Sequence, residues 1–306
     1  MEEALVRGED RGRQRTQKQL NPVSFITAVC RRPLVHWVPF CPPYDRMYAF
    51  AHFVPRHKRR PRKYLFNDRL YRLKVSGELL DPLRQFVTDK VLGKEFISAR
   101  LGEGHTPETL AVLKTAQEVY DYAFPRQCVI KAAHTSQNVI ICTDGVVDRT
   151  RVASWLKTDY YRVMREQNHA FLRPSVIVEE FAFGGDTVPE DIRFFCVDGV
   201  PKGIMVDYDH FTSQTRVLYD TEWNALPYGL HHPVGTPRPR PANLDQMLAA
   251  AAVLAKGFSF IRVDFYSNGA DFKVGEITNC HAGGMQRFRP VEAERAFSTL
   301  LFGDEK

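Results

Sequence analysis

The segment 258–279, FSFIRVDFYSNGADFKVGEITN, restricts the fold of this chain more than any other. Residues 260–266 are β-branched and aromatic, Ser-Asn-Gly-Ala-Asp interrupts them, and 272–278 resume the pattern, which predicts two strands around a turn. Each strand carries one carboxylate in its interior, Asp264 in the first and Glu276 in the second. Acids are disfavoured inside strands and costly to bury without a partner, so the pair needs a reason. Side chains alternate, so Arg262, Asp264 and Tyr266 share one face, and Glu276 shares its own with Val274 and Thr278. A loop of odd length, such as Gly269-Ala270-Asp271, sets Asp264 opposite Glu276. A two-residue Asn-Gly turn sets them on opposite faces. With the acids opposed, a cation belongs between them. Two carboxylates flanking a gap suit Mg²⁺, with waters and phosphate oxygens completing its octahedron. The competing reading pairs Arg262 or a distant lysine with one acid and leaves the other in water.

The chain has 306 residues, 44% of them apolar, enough for one large or two modest domains. It contains no apolar run long enough to span a membrane. The nearest, 23–40, is broken by Arg31-Arg32-Pro33 and Pro39, and makes a poor signal peptide. Six scattered cysteines without a CxxC pair read as reduced thiols of a cytosolic protein. Charge is uneven: residues 1–63 hold 14 Lys/Arg against 5 Asp/Glu, a balance of +9, whereas the remainder holds 28 against 31. The basic arm ends in the run 56–63, which reads as a solvated tail or as a contact with an anionic membrane surface, a polysaccharide or nucleic acid. No aromatic-interleaved groove or nucleic-acid motif supports a nucleic-acid partner.

From Tyr64 onward the periodicity is regular. Asp81-Pro82 opens a helix that runs through Phe96, and Thr106-Pro107-Glu108 opens a second through Val119. Residues 128–131 and 139–143 read as a strand pair, and 152–165 as a helix. Residues 175–181 and 192–197 read as strands, and Asp198-Gly199 as a hairpin turn into 201–207. A helix over 243–256, with Asn243 as its cap, leads into the acidic hairpin. Helices mixed with antiparallel strands and no serial βαβ unit give an α+β fold. GxxxxGK[ST], a nucleophile elbow and HExxH are all missing, which removes P-loop, serine-hydrolase and zinc-protease chemistry. Lys131 ends a strand beside the loop His134-Thr-Ser-Gln, and Lys90 sits in the first helix; alone, either lysine reads as a surface charge.

The order of these pieces is more informative than any one of them. Ile-Val-Glu-Glu-Phe181, Asp191-Ile-Arg-Phe-Phe-Cys-Val-Asp-Gly-Val-Pro-Lys, Leu-Tyr-Asp220-Thr-Glu-Trp223 and Asn243-Leu-Asp-Gln-Met247 leading into Phe-Ile-Arg-Val-Asp264 occur in sequence. Together they resemble the ATP-grasp superfamily. The closer likeness is to its TupA-like branch, named for a teichuronopeptide biosynthesis protein and found among cell-surface polysaccharide genes. The resemblance spans residues 64 to about 290. It implies an ATP-grasp fold of two α+β subdomains enclosing a nucleotide, here 125–182 and 183–306, preceded by a helical part, 64–124, and a basic extension, 1–63. It also implies ATP and Mg²⁺ as cofactors, with Lys90 and Lys131 on the phosphates. Glu179, Glu180, Phe181 and Ala182 would form the hinge along the adenine edge, and Asp191 would hold the ribose. Asp264, Glu276 and Thr278 would hold the metal, and Arg262 would stand beside the transferred phosphoryl group, with Lys131 as the second catalytic cation.

The implied reaction joins a carboxylate, small or glycan-linked, to an amine such as an amino acid. The implied place is the cytoplasm, peripheral at the inner membrane surface. Some positions depart from the pattern. The loop 132–137 has no glycine, Thr278 stands where Asn is common, and His210 and Gln214 stand near an expected Arg and His, with Arg216 kept. The alternatives are therefore an ATP-dependent phosphotransferase and a degenerate, noncatalytic scaffold.

Overall fold

The computed structural model describes residues 38–62, 64–184, 189–208 and 214–304. The N-terminal part is helical. Helix α1 (Pro42–His57) starts with prolines in its first turn and stops at Lys58, whose φ is 54°. Helix α2 (Phe66–Val75) packs on it, followed by α3 (Pro82–Thr88) and α4 (Lys90–Leu101). One helix was expected from Pro82 to Phe96, and two are found. Asp89 is extended (φ −70°, ψ 124°) and its carboxylate accepts from the amides of Val91 and Leu92, as Asp81 does from Leu83 and Arg84. An aspartate that caps a new helix ends the old one.

Four strands form the smaller sheet: β1 (Thr109–Leu113), β2 (Cys128–Ala132), β3 (Val139–Cys142) and β4 (Val176–Glu179), in the order β1-β4-β2-β3. The helix expected over 106–119 is mostly β1, because Ala111–Leu113 pair with β4. Only α5 (Ala116–Asp121), capped by Thr115, is helical there. Tertiary pairing overrides the Thr-Pro-Glu start signal. The helix expected over 152–165 is likewise two, α6 (Arg149–Trp155) and α7 (Tyr160–Met164), because Asp159 caps the second. Helices α5 and α6 and the apolar face of the sheet share a core that includes Leu113, Val119, Ile130, Val152 and Val178.

The larger sheet runs β10-β9-β5-β6-β7, antiparallel throughout. Its strands are β5 (Asp191–Val197), β6 (Val200–Tyr208), β7 (Thr215–Tyr219), β9 (Phe260–Ser267) and β10 (Phe272–Thr278). Asp198 and Gly199 both have positive φ, the geometry of a type I′ turn, as their sequence predicts. Helix α8 (Leu244–Ala255) covers one face, burying Ile192, Phe194, Val206, Val263 and Phe265. Asn243 does not cap it with its side chain. Its amide nitrogen donates to Asp271 O at 2.9 Å and its oxygen accepts from Ser267 at 3.0 Å, so the helix start is tied to the hairpin instead. On the opposite face, α9 (Ala293–Phe302) and α2 cover Phe195, Met205, Leu218 and Phe260. A ribbon of β8 (Gly229–Leu230) and β11 (Phe288–Arg289) closes the edge. The rest of that face is polar and holds the acids.

The hairpin register arises by a route the sequence did not suggest. Its loop is Asn268 to Asp271, four residues and thus even, with Phe272 opposite Ser267. Continued unchanged, that register sets Gly275 opposite Asp264. A bulge between Val274 and Glu276 absorbs Gly275 and brings Glu276 opposite Asp264. A Cβ on Gly275 would lie 2.7 and 2.9 Å from two ring atoms of Tyr266, so the bulge needs glycine.

Candidate active site

Arg262 and Asp264 are two apart on β9 and share a face. The guanidinium grips the carboxylate at both oxygens, Nε to Oδ1 at 2.7 Å and Nη2 to Oδ2 at 2.6 Å. Nη2 also donates to Thr278 Oγ1 at 2.9 Å, directly across the hairpin. Nη1 donates to His281 Nδ1 at 2.5 Å, so the His281 proton sits on Nε2, which donates to Gln286 Oε1 at 2.8 Å. Burial, with Arg262 and Arg216 beside it, pushes the His281 pKa well below its ordinary value and keeps the ring neutral.

On β5, Arg193 faces Asp264 in register and approaches Oδ2 at 3.5 Å. Arg193 also pairs with Asp191 at 2.7 Å and with Asp207. Asp207 accepts from Arg216 Nη2 at 2.8 Å, and Arg216 Nη1 reaches Gln286 Oε1 at 2.8 Å. The network closes into a ring running Asp264, Arg262, His281, Gln286, Arg216, Asp207, Arg193. Despite its burial, Asp207 is held below the usual carboxylate range by Arg216 and Arg193.

The second wall comes from α4 and the smaller sheet. Lys90 and Lys94 stand one turn apart on α4. Lys90 Nζ donates to Thr135 O at 2.6 Å and lies 3.7 Å from Glu276. Lys94 and Lys131 both bind Glu179, each at 2.6 Å, at the end of β4. Burial works against the charge on Glu179, but Lys131 and Lys94 outweigh it and hold its pKa below the usual carboxylate range, and Glu179 in turn raises Lys131 against its burial. Lys131 Nζ also lies 5.9 Å from the centre of the Tyr266 ring, on β9. The cations of the small sheet and α4 thus meet the acids of the large one. Glu276 is only part-buried, and Lys90, Arg262 and Lys131 outweigh its desolvation and hold it below the usual carboxylate range.

The remaining expected positions are close by. Glu180 follows β4, with its amide on Glu108 O and its carboxylate 3.6 Å from Lys273. Phe181 and Ala182 are buried behind it. Asp191 opens β5 opposite Tyr266. Gln137 adopts φ 70°, so the glycine-free loop 132–137 makes its left-handed turn with a glutamine. His210 lies outside the described residues. Sequence reasoning did not single out Lys94, Arg193, His281 or Gln286. Lys94 is one helical turn from Lys90 and Arg193 shares the strand face of Asp191, so periodicity could have found both. Nothing local marks His281 or Gln286.

Among the described residues no group of three or more His, Cys, Asp and Glu could hold a metal. The donors that the sequence leads one to expect are instead Asp264, Glu276 and the Thr278 hydroxyl, all oxygen. That suits a hard cation whose other ligands are water and phosphate, and not zinc. Asp264 Oδ1 gives Arg262 one lone pair and retains another, so the residues fit magnesium.

A family model described as TupA-like ATPgrasp matches residues 70–301. No curated protein matches the chain. Among solved structures, D-alanine–D-alanine ligase from Bacillus anthracis in complex with ATP is 19% identical, with 63% of this chain and 55% of that one covered and a TM-score of 0.37. The ATP-grasp ligase PsnB, complexed with a phosphomimetic variant of its minimal precursor, Mg and ADP, is 13% identical over 75% of this chain and 64% of its own, at 0.39. A RimK domain ATP-grasp protein from Sphaerobacter thermophilus is 14% identical over 72% and 69%, at 0.38. The chain thus spans 55% to 69% of the length of these three structures. The family match covers most of the chain, including both walls of the site, and the α+β fold agrees with it: the chain belongs to the TupA-like ATP-grasp family.

Proposed function

We propose that this protein is a Mg-ATP-dependent ligase that activates a carboxylate as an acyl phosphate and joins it to an amine. The observation that carries this reading is the opposition of Asp264 and Glu276 across the hairpin, faced by Lys90, Lys131, Arg193 and Arg262. A carboxylate is a poor electrophile, because its charge repels nucleophiles and oxide is its leaving group. Mg-ATP, when bound, supplies a phosphoryl group that converts that oxide into a good leaving group.

Phosphoryl transfer needs fixed cations around the phosphate oxygens more than acid–base chemistry. Lys90 and Lys131 would bind the nucleotide phosphates. Arg262, fixed by Asp264, Thr278 and His281, would stand at the transferred group. Asp264, Glu276 and Thr278 would hold the metal. Glu179 to Ala182 would line the adenine edge and Asp191 the ribose. Glu179 is clamped by Lys94 and Lys131, so its role would include positioning those lysines. The carboxylate oxygen then attacks the γ-phosphorus with ADP leaving. The amine attacks the acyl carbon, phosphate leaves, and the nitrogen loses its proton to give the amide.

The pathway this fits is assembly of a cell-surface polysaccharide or related conjugate, at the cytoplasmic side of a membrane. The test is ADP release with hydroxylamine as the trapping amine, over a panel of amino acids and uronic acids. A hydroxamate that forms only with ATP, magnesium and one carboxylate supports the ligase. A stable phosphorylated product with no amine requirement would replace it with a phosphotransferase. Nucleotide binding without ADP release across the panel would favour a noncatalytic scaffold, the reading that the glycine-free loop supports.

A further inference from the structure

Helix α1 has two apolar sides. Asp45, Tyr48, Ala49 and Phe53 point inward and are buried. The opposite side presents Pro43, Met47, Phe50 and Ala51 to solvent, with Val54 part-exposed between them. Met47 is 61% exposed and Phe50 42%. A surface helix ordinarily turns charge outward, so an apolar outer face signals a partner.

The charges that this segment brings to the face are of one sign. Lys58, Arg60 and Arg62 follow the helix and are exposed, and Lys58 continues the line of Met47 and Val54. Arg46 flanks it. The only acid between residues 42 and 62 is Asp45, which is buried. The basic run is also not a free tail. Arg56 Nε donates to Met285 O at 2.7 Å, His57 contacts Gly284 O at 2.8 Å, and Arg59 pairs with Asp68 and Glu294. Three of its residues therefore anchor α1 to the body, and the other described cations remain on the surface beside the apolar stripe.

We propose that the outer face of α1, with Lys58, Arg60 and Arg62, docks the protein on an anionic lipid surface. A helix lying in the interface with an apolar face in the lipid and basic residues at the headgroups has this composition. The inner side of the same helix holds Gly284 and Met285, next to Gln286 and a few residues from His281. Docking would therefore set the 284–285 backbone about one helix diameter, ~10 Å, from the bilayer, with the Arg262 end of the cleft behind it. An acceptor held at the membrane would meet the cleft there.

The test is flotation of the full chain with vesicles of phosphatidylcholine alone or mixed equally with phosphatidylglycerol. Binding is expected only to the mixed vesicles and should weaken with salt. Met47→Ser/Phe50→Ser should lose about tenfold or more, since two large apolar side chains leave the lipid. Lys58→Glu/Arg60→Glu/Arg62→Glu should lose a similar factor. Both variants change exposed side chains, and unchanged Mg-ATP calorimetry would show that the fold and nucleotide site are intact. Phe50→Trp should shift its emission to the blue on the mixed vesicles. No binding by the wild type, binding that both variants retain, or an unshifted Phe50→Trp would each overturn the proposal. So would a dimer that Met47→Ser/Phe50→Ser dissociates, which would make the face a contact between copies.

Discussion

Gly275 decides which face of β10 Glu276 occupies. With a four-residue loop and no bulge, Asp264 would face Gly275 and the acids would point apart. Gly275→Ala must push against the Tyr266 ring, and should cost about 1–3 kcal/mol in urea unfolding. It should also weaken Mg-ATP binding, with part of the stability recovered in Gly275→Ala/Tyr266→Ala. Unaltered stability in the single variant would show that the ring does not hold the bulge. A second residue-scale prediction concerns Glu179. Glu179→Gln leaves Lys94 and Lys131 without their shared anion and should destabilise by about 3–5 kcal/mol. A loss under about 1 kcal/mol would mean that water already serves the lysines. The acids were legible because carboxylates inside strands are anomalous. The bulge was not, because it depends on a ring packed from the neighbouring strand.

At the scale of elements, Asp89 both ends α3 and aims α4. Its loss as a cap in Asp89→Ala should cost about 1 kcal/mol. Lys90 is the first residue of α4, so Mg-ATP affinity should fall as well. Asp81→Ala removes an equivalent cap from α3, away from Lys90, and should lower stability alone. Equal affinity losses in both variants would show that the effect is on stability only. Aspartates at positions 89 and 159 explain why helices read as continuous from their apolar period come in pieces. The strand over 109–113 was hidden for a different reason. Thr-Pro-Glu starts helices well, and only the partner strand β4, far along the chain, makes the segment extended.

For the whole molecule, neutral histidines, His281 buried and His169 and His232 part-buried, set the response to acid. Burial lowers His169 to about 3 and His232 to about 4, and pushes His281 well down. The unfolded chain takes up these protons near pH 6.5, whereas the folded chain does so only far lower. Stability should therefore be full above about 6.5 and fall as pH drops below it, by up to about 1.4 kcal/mol per unit for His169 alone. His169→Gln should flatten the dependence of urea midpoint on pH between 7 and 5, and a midpoint that rises on acidification would contradict this. The α+β class and the hairpin were legible at this scale. The ring of charges from Asp264 to Arg193 was not, because it joins four strands and the 281–286 segment, which no local pattern relates. In the proposed reaction a metal nucleotide binds between the two opposed acids. Calorimetric titration of Mg-ATP into the wild type and into Asp264→Asn/Glu276→Gln tests it most directly. Binding is expected that the double variant loses and that EDTA abolishes. Binding of equal strength in the double variant, or none to the wild type at millimolar nucleotide, would contradict it.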